Sequence, residues 1–133
     1  MTLKIGSIRP YQPDDFIQIQ QLNDHAGWTT SSLRPDAAKQ AWEQSNIAYV
    51  IEENKHVIGY VRGLTDQKIT LFICELLIDK NYRGLGLGHD LLKYVHQLYP
   101  ETRMEMLATK DSQSFYEHLN FRRFNGFRKM INE

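Results

Sequence analysis

A glycine-rich turn between an apolar segment and an amphipathic helix restricts the fold more than any other part of the sequence. The segment 69–78 is almost continuously apolar and is interrupted only by Thr70 and Glu75. This pattern predicts a strand that is buried on both faces and central in its sheet. Apolar residues at helical spacing over 88–99 then predict a helix, which Pro100 ends. The turn 83–88 therefore connects a buried strand to the first turn of a helix.

The turn carries three glycines at alternate positions, Gly84, Gly86 and Gly88, directly after the permanent cation of Arg83. Because glycine lacks a Cβ, main-chain N–H groups there can point inward at an anion, and the helix N-terminus adds about half a positive charge. This chemistry favours binding of a diphosphate. The alternative is that the glycines only relieve crowding between strand and helix, since a glycine motif alone is weakly specific.

Two common nucleotide-binding motifs do not fit this turn. No Gly-Lys-Ser/Thr follows the glycines, so the triphosphate and magnesium ligands of a Walker loop are missing. The glycine spacing also differs from the Rossmann fingerprint, and the turn leaves a meander of strands instead of starting a βαβ unit. ATPases and dinucleotide oxidoreductases are therefore disfavoured.

The composition predicts one globular domain over residues 1–133, with 41% hydrophobic and 24% charged residues. Its 16 basic residues balance 16 acidic residues, which disfavours nucleic acid and anionic membranes as partners. No apolar stretch approaches the roughly 20 residues that cross a bilayer, and residues 1–5 do not resemble a signal peptide. The single Cys74 and the scattered histidines indicate a reducing compartment and no metal site. We expect a cytoplasmic protein.

Hydrophobic periodicity and turn residues predict the element order β-α-α-β-β-β-α-β-α-β. The predicted strands cover 3–8, 47–51, 56–63, 69–78, 103–108 and 121–131, and the predicted helices cover 16–23, 35–42, 88–99 and 114–119. Residues 25–33 are predicted to form an exposed loop. Asn120 is expected to end the last helix in a left-handed conformation. The result is an α/β arrangement with a mixed sheet.

The turn and its surroundings resemble the GNAT superfamily of acyl-CoA-dependent N-acetyltransferases. The signature of that family is Arg or Gln, two residues, Gly, one residue, then Gly or Ala, and Arg83, Gly86 and Gly88 match it. The resemblance is specific over the C-terminal half of the chain, and the N-terminal half matches mainly in element order. It implies an α+β domain whose mixed, mostly antiparallel sheet is flanked by about four helices. It also implies that two central strands splay to open a cleft for the cofactor.

The resemblance further implies acetyl-CoA as the acetyl donor and assigns residues to it. In that family the strand main chain holds the pantetheine and the loop amides hold the pyrophosphate. His89 begins the helix and is either a phosphate contact or a solvated first-turn residue. Thr109 stands where many members have an asparagine that contacts the CoA arm, and threonine has a shorter reach. The implied strand and loop residues are Leu76, Leu77, Ile78, Arg83, Gly84, Leu85, Gly86, Leu87 and Gly88.

Two residues are candidates for proton transfer. Tyr116 lies at the family position whose phenol often protonates the departing CoA thiolate, and the alternative is an aromatic core residue. Glu75 interrupts the apolar strand just before the residues expected beside the acetyl group. It either accepts the acceptor's proton, directly or through water, or anchors the ammonium, or pairs with an arginine on the sheet. Strand alternation alone does not determine which face of the sheet Glu75 occupies.

The resemblance thus implies an acetyl-CoA-dependent N-acetyltransferase that moves an acetyl group directly to a primary amine. The acceptor, a small molecule or a peptide or protein amine, is not identified. His25, Trp28 and Trp42 either line an acceptor pocket or pack in the core. The main alternative is a non-catalytic acyl-CoA-binding sensor or regulatory module. A homodimer is compatible with the sequence, although no pattern proves it.

Overall fold

The computed structural model describes residues 3–133, in which five strands form one sheet in the order β1-β2-β3-β4-β5. The strands are β1 (Ser7–Pro10), β2 (Ile47–Glu53), β3 (His56–Thr65), β4 (Thr70–Ile78) and β5 (Arg103–Met106). The helices are α1 (Phe16–His25), α2 (Thr30–Leu33), α3 (Pro35–Gln44), α4 (Leu87–Leu98) and α5 (Gln113–His118). Neighbouring strands are antiparallel except β5, which runs parallel to β4. The predicted mixed, mostly antiparallel sheet is confirmed.

Two tight turns fix the register of β2, β3 and β4. Asn54 and Lys55 form a two-residue loop in which both φ angles are positive, at 49° and 66°. Such loops match the twist of the strands they join. In the next turn, one carboxylate oxygen of Asp66 accepts hydrogen bonds from the amides of Lys68, Ile69 and Thr70 at 2.9, 2.8 and 3.0 Å. The meander is therefore held by local main-chain geometry.

The two faces of the sheet bury separate apolar clusters. The cluster under α4 contains Ile8, Ile47, Ile51, Ile58, Val61, Leu71, Ile73, Leu87, Leu91, Leu92 and Val95. The cluster under α1 and α3 contains Phe16, Ile19, Leu22, Trp42, Val50, Val57, Tyr60 and Leu77. The Trp42 ring packs between Tyr11 and Tyr60, with centroids 4.8 and 5.2 Å away. Trp42 is therefore a core residue, and its predicted alternative role in an acceptor pocket is wrong.

The predicted exposed loop 25–33 contains a short helix, α2, because buried polar contacts tie it to the body. The Asn23 amide donates to the Ser31 hydroxyl at 2.9 Å, and the Tyr60 hydroxyl donates to the Asn23 side-chain oxygen. The Gln20 amide donates to the Ser31 carbonyl at 2.9 Å. Ser31 is consequently buried. Sequence composition showed no sign of these long-range contacts.

Three strand predictions need correction. β1 begins only at Ser7, because Gly6 has φ +76° and a Cβ there would lie 2.6 Å from the Glu52 carbonyl oxygen. β4 is not the central strand, since β3 holds that place, and several of its residues are only half-buried. The predicted strand over 121–131 is wrong, because this segment forms neither helix nor strand. Asn120 does have a positive φ of 70°, which confirms the predicted helix end.

A partly buried ion pair fixes the chain where β1 leads into α1. The Arg9 guanidinium donates to both carboxylate oxygens of Asp15 at 2.9 Å, and the Gln12 amide donates to Asp15 at 2.8 Å. Burial of Asp15 opposes its charge, but the bonds from Arg9 and Gln12 outweigh that effect and lower the pKa of the carboxyl. A lowered pKa means that the charged carboxylate stabilises the fold above its unfolded-state pKa.

We expect Asp15→Asn to lower the free energy of unfolding by about 2 kcal/mol at pH 7, because charged hydrogen bonds are lost. The difference from the wild type should persist down to about pH 4 and shrink below it as the native carboxyl becomes protonated. Urea unfolding at pH 7 and pH 3 measures the difference in unfolding free energy between Asp15→Asn and the wild type. The matched control is Asp14→Asn at the exposed neighbour, which should change little. An Asp15→Asn deficit of equal size at both pH values would contradict this role of the Asp15 charge.

Candidate functional site

The pairing of β4 with β5 ends halfway along β4. The parallel register runs from Thr70 opposite Arg103 to Ile73 opposite Met106 and then stops. Residues 75–78 pair with β3 alone. Within residues 3–133 no strand pairs with their other edge, which confirms the predicted splayed strands. An open edge offers main-chain donors and acceptors to an extended ligand that carries amides.

A β-bulge marks the point where the pairing ends. Arg62 lies opposite Glu75 and Gly63 lies opposite Ile73, so Cys74 is an extra residue in β4. A bulge shifts the alternation of side chains by one residue. Ile73 accordingly packs under α4, whereas Leu77 packs under α1 and α3. Glu75, two residues before Leu77, therefore faces the α1 and α3 side.

Glu75 is held by an arginine on the neighbouring strand. The Arg62 Nε donates to the Glu75 Oε2 at 2.6 Å, and the Arg62 Nη1 donates to the Ser45 hydroxyl at 3.2 Å. Both charged side chains are largely buried, with 19% and 26% exposed. Of the three roles considered for Glu75, pairing with an arginine is observed. The pair also fixes the direction of the carboxylate beside the open part of β4.

The glycine turn places main-chain amides at the start of α4. Gly84 and Gly86 have φ angles of +77° and +81°, and a Cβ at either position would meet nothing within 4 Å. These two glycines are therefore required by backbone conformation and not by crowding. The Asp90 amide donates to the Gly86 carbonyl at 3.0 Å, which begins the helix. The amides of residues 87–89 precede that bond and lack an intrahelical acceptor.

Gly88 has a different role from the other two glycines. A Cβ on Gly88 would lie 3.0 Å from the Phe115 ring and 3.8 Å from a side-chain carbon of Ile78. Phe115 of α5 thus packs directly on the first turn of α4 at the end of β4. The crowding interpretation is correct for this position. Tyr116 follows Phe115 in α5 and packs its ring edge-on against the Phe115 ring.

The remaining predicted cofactor residues surround this turn. The Arg83 Nε donates to the Ile78 carbonyl at 3.1 Å, which holds the cation at the end of β4. Leu85 is half-exposed, whereas Leu87 is buried in the core, and Leu76 packs against the cluster under α4. His89 is exposed in the first turn of α4, and its Nδ1 lies 3.9 Å from Asp90.

Thr109 lies in the turn that leads into α5. Its amide donates to the Ser112 hydroxyl at 2.9 Å, and the two hydroxyl oxygens are 3.1 Å apart. The Thr109 hydroxyl is therefore already engaged within its own turn. Ser112 was not predicted from the sequence, and only its position three residues after Thr109 could have suggested this contact.

Tyr116 is a half-buried aromatic residue of α5. Its ring packs edge-on against Phe115 and Phe121, with centroids 5.1 and 5.6 Å away. Burial raises the pKa of the Tyr116 phenol. Its hydroxyl makes no hydrogen bond to any residue of the described chain. The ring is anchored while the hydroxyl can still donate a proton to a ligand.

A cavity of about 990 Å³ lies on the far side of β5. It is lined by parts of α4, β5, α5 and residues 121–126, and it includes His89 and Tyr116. It contains none of the residues 76–78 or 83–88. This cavity therefore shares His89 and Tyr116 with the predicted site, but it does not include the open edge of β4 or the glycine turn.

The comparison with known families identifies the class of this chain. Residues 14–121 match the model of the acetyltransferase (GNAT) family, which is most of the chain. The protein therefore belongs to the GNAT acetyltransferase family. The GNAT-family acetyltransferase of Streptococcus pneumoniae TIGR4 has the same fold, with a TM-score of 0.79 and 20% identity over 96% of this chain and 98% of that one. An acetyltransferase of Trypanosoma brucei superposes with a TM-score of 0.69 at 18% identity, over 93% and 98%.

Sequence relatives carry names of N-acetyltransferases and of a histone acetyltransferase. The uncharacterized N-acetyltransferase ycf52 of Porphyra purpurea is 30% identical over 78% of this chain and 63% of its own length. That of Pyropia yezoensis is 29% identical with the same coverage. The histone acetyltransferase TAP1 of Glycine max is 29% identical over 80% of this chain and 52% of that protein. The chain thus spans less than two thirds of the length of these relatives.

Three further features concern metal binding, membrane-spanning helices and thiol chemistry. Among residues 3–133, no group of three His, Cys, Asp or Glu side chains is placed to hold a metal ion. Over the same range, none of the helices combines the length and apolar character needed to cross a bilayer. Cys74 is half-buried, and burial raises the pKa of its thiol, which disfavours a thiolate nucleophile.

We expect Gly86→Ala to lower the free energy of unfolding by about 1 kcal/mol, because alanine must adopt a left-handed conformation. Gly27→Ala is a matched control, since Gly27 also has a positive φ of +77° and open space around its Cβ position. Thermal or urea unfolding should give similar losses for both variants. A loss for Gly27→Ala with none for Gly86→Ala would show that the left-handed conformation of Gly86 is wrong.

Proposed function

We propose that residues 1–133 act as one N-acetyltransferase domain that transfers an acetyl group from acetyl-CoA directly to a primary amine. The observation that carries this proposal is the open edge of β4 at residues 75–78, which leads straight into the glycine turn at the start of α4. One end of this groove offers unpaired main-chain groups. The other offers amides and a helix N-terminus. An amide-containing arm that ends in a diphosphate matches both.

The residues of the groove fit the two halves of acetyl-CoA. The main chain of Leu76, Leu77 and Ile78 would hold the pantetheine amides in place of the missing strand pairing. The amides that follow Gly86 and the cation of Arg83 would hold the pyrophosphate. Strand N–H groups would also stabilise the oxyanion formed at the thioester carbonyl. A thioester is already activated, so this chemistry requires no metal.

Proton transfers at the amine nitrogen and at the sulfur complete the proposed reaction. Glu75 takes a proton from the acceptor ammonium, directly or through water, or anchors that ammonium. The neutral amine forms a bond to the carbonyl carbon, the carbon–sulfur bond breaks, and Tyr116 protonates the sulfur. The nitrogen loses its second proton as the amide forms, and that proton returns the Tyr116 phenolate to the phenol through water. Burial keeps the Tyr116 phenol protonated at neutral pH by raising its pKa. Its proton then passes to a thiolate whose ordinary pKa is about 8.5, over a short distance.

The acceptor is proposed to bind on the α1 and α3 side of the sheet, which is the side that Glu75 faces. His25 is the last residue of α1, Trp28 lies between α1 and α2, and both side chains are exposed. They could contact a small molecule or a peptide or protein amine through aromatic surface. We extend the proposal to a cytoplasmic protein that works as a homodimer.

Calorimetric titration with acetyl-CoA tests the cofactor assignment. The wild type and Gly27→Ala should bind with the same affinity, whereas Gly86→Ala should bind about tenfold more weakly, because a Cβ at residue 86 would hinder close approach of the diphosphate to the main chain. The two variants carry the same backbone strain, so stability alone cannot cause the difference. Absence of heat or saturation with the wild type would refute the cofactor assignment.

Tyr116→Phe and Glu75→Gln test the proton-transfer roles. We expect Tyr116→Phe to lower kcat about a hundredfold with unchanged acetyl-CoA affinity, measured by thiol release with a panel of amines. Glu75→Gln should reduce turnover with the same panel of amines. Tyr94→Phe is the control for loss of a phenol hydroxyl. The Tyr94 ring of α4 packs edge-on against Tyr49 of β2, so this variant should keep the wild-type kcat. Cofactor binding without transfer to any amine by the wild type would favour the sensor alternative.

A further inference from the structure

The ion pair of Arg62 and Glu75 leaves polar atoms without a protein partner. The Arg62 Nε donates to the Glu75 Oε2 at 2.6 Å, and the Arg62 Nη1 donates to the Ser45 hydroxyl at 3.2 Å. Within residues 3–133, the Arg62 Nη2 and the Glu75 Oε1 make no hydrogen bond. A guanidinium that is only 19% exposed requires partners for its remaining N–H groups. Water or a ligand must supply them.

Ser45 holds the guanidinium from the side opposite the ion pair. The Ser45 hydroxyl donates to the Ala41 carbonyl at 2.6 Å in the last turn of α3. Its oxygen is therefore already oriented when it accepts the bond from Arg62. The planar group of Arg62 is thus tied both to β4 and to the end of α3. A fixed guanidinium loses little conformational freedom when it binds a ligand.

The pair lies at the place where the acceptor amine has to react. Glu75 is at the beginning of the open part of β4 and faces the α1 and α3 side of the sheet. Arg62 lies directly opposite Glu75 on β3. An amine that contacts Glu75 is therefore within a few ångströms of the guanidinium, since the two side chains are 2.6 Å apart.

The pair carries no net charge. Burial, together with the negative charge of Glu75, raises the pKa of the Tyr60 phenol, and burial raises the pKa of the Cys74 thiol, so both neighbours are neutral at pH 7. No third charged side chain of the described chain pairs with either group. Glu75 attracts an ammonium, whereas Arg62 repels a second positive charge on the same acceptor. Polyamines and basic peptides are therefore disfavoured.

We propose that the acceptor is a free α-amino acid, whose carboxylate binds Arg62 while its ammonium binds Glu75. This inference rests on the proposed acetyl transfer and specifies its substrate class. The α-nitrogen forms a bond to the acetyl carbon as the carbon–sulfur bond breaks. The products are an N-acetyl amino acid and CoA, with a proton released to water.

The spacing of charges in an α-amino acid fits the pair. Its nitrogen and its carboxyl carbon are about 2.5 Å apart, because a single carbon joins them through bonds of about 1.5 Å. The Arg62 Nε and the Glu75 Oε2 are separated by a similar distance, 2.6 Å. The opposite charges of ligand and pair can therefore lie side by side. A peptide N-terminus has a neutral carbonyl where the amino acid has its carboxylate, so it gives Arg62 no charged partner.

Matched acceptors test this assignment with the wild-type protein alone. Each common L-amino acid is compared with its carboxamide and with the corresponding amine that lacks the carboxyl group, by thiol release. For the best amino acid, we expect kcat/KM to exceed that of both analogues by about tenfold or more, because only the amino acid pairs with Arg62. Equal or higher kcat/KM for the amide or the amine would overturn the assignment and leave acetyl transfer intact.

Variants of Arg62 distinguish recognition of the carboxylate from support of Glu75. Arg62→Gln should raise KM for the amino acid and abolish its advantage over the amide. Arg62→Lys keeps the charge without the planar fork and should retain part of that advantage. The control Arg128→Gln removes an exposed arginine and should leave the advantage unchanged. If Arg62→Gln lowered kcat/KM equally for amino acid and amide, Arg62 would act only through Glu75, which overturns the proposal.

A binding measurement separates this proposal from the proposed function. With CoA in place of acetyl-CoA, the best-binding L-amino acid should shift the Nε–H resonance of Arg62, whereas its carboxamide should not. The wild type suffices, so the test holds even if the Arg62 variants do not fold. A shift without acetylation of any amine would support recognition by Arg62 and refute the transfer. Absence of a shift with every common L-amino acid would overturn the proposal, whether or not other amines are acetylated.

Discussion

The site depends on one interruption of sheet pairing. β4 and β5 separate after Ile73 and Met106, and the extra residue Cys74 lies at the same level. Without the bulge, Glu75 would continue the α4 face that Leu71 and Ile73 occupy. With it, the acidic side chain turns to the opposite face and the strand beyond it keeps an unpaired edge. One added residue thus sets both the direction of a side chain and the opening of a groove.

The turn between β4 and α4 supplies the groove with main-chain amides that can donate hydrogen bonds. The left-handed conformations of Gly84 and Gly86 lead the chain into α4 with its first amides free of intrahelical acceptors. Phe115 packs on Gly88 and so docks α5 against the same helix turn. The free strand edge, the helix N-terminus and the Tyr116 phenol therefore belong to three elements whose relative positions are fixed by small residues and close packing.

The fold and the location of the site could largely be predicted from the sequence, because local signals carried them. Glycine spacing, hairpin turns and helical periodicity indicated the order of elements and the residues of the turn. The face of Glu75 could not be predicted, because the bulge depends on pairing between distant strands. The helix α2 depends on hydrogen bonds from Gln20 and Asn23 of α1 to Ser31. The pattern over 121–131 favours a strand, but a strand forms only where another strand pairs with it, and within residues 3–133 none does. These features are set by tertiary contacts.

The most direct measurement of the open groove is the change in backbone amide resonances on addition of CoA. We expect the largest shifts at residues 76–78 and 84–89, on both sides of the point where β4 leaves β5. Smaller changes should extend along α5 through its contact with α4. Shifts confined to residues around the cavity beyond β5, with residues 84–89 unperturbed, would contradict the assignment of this groove as the cofactor site.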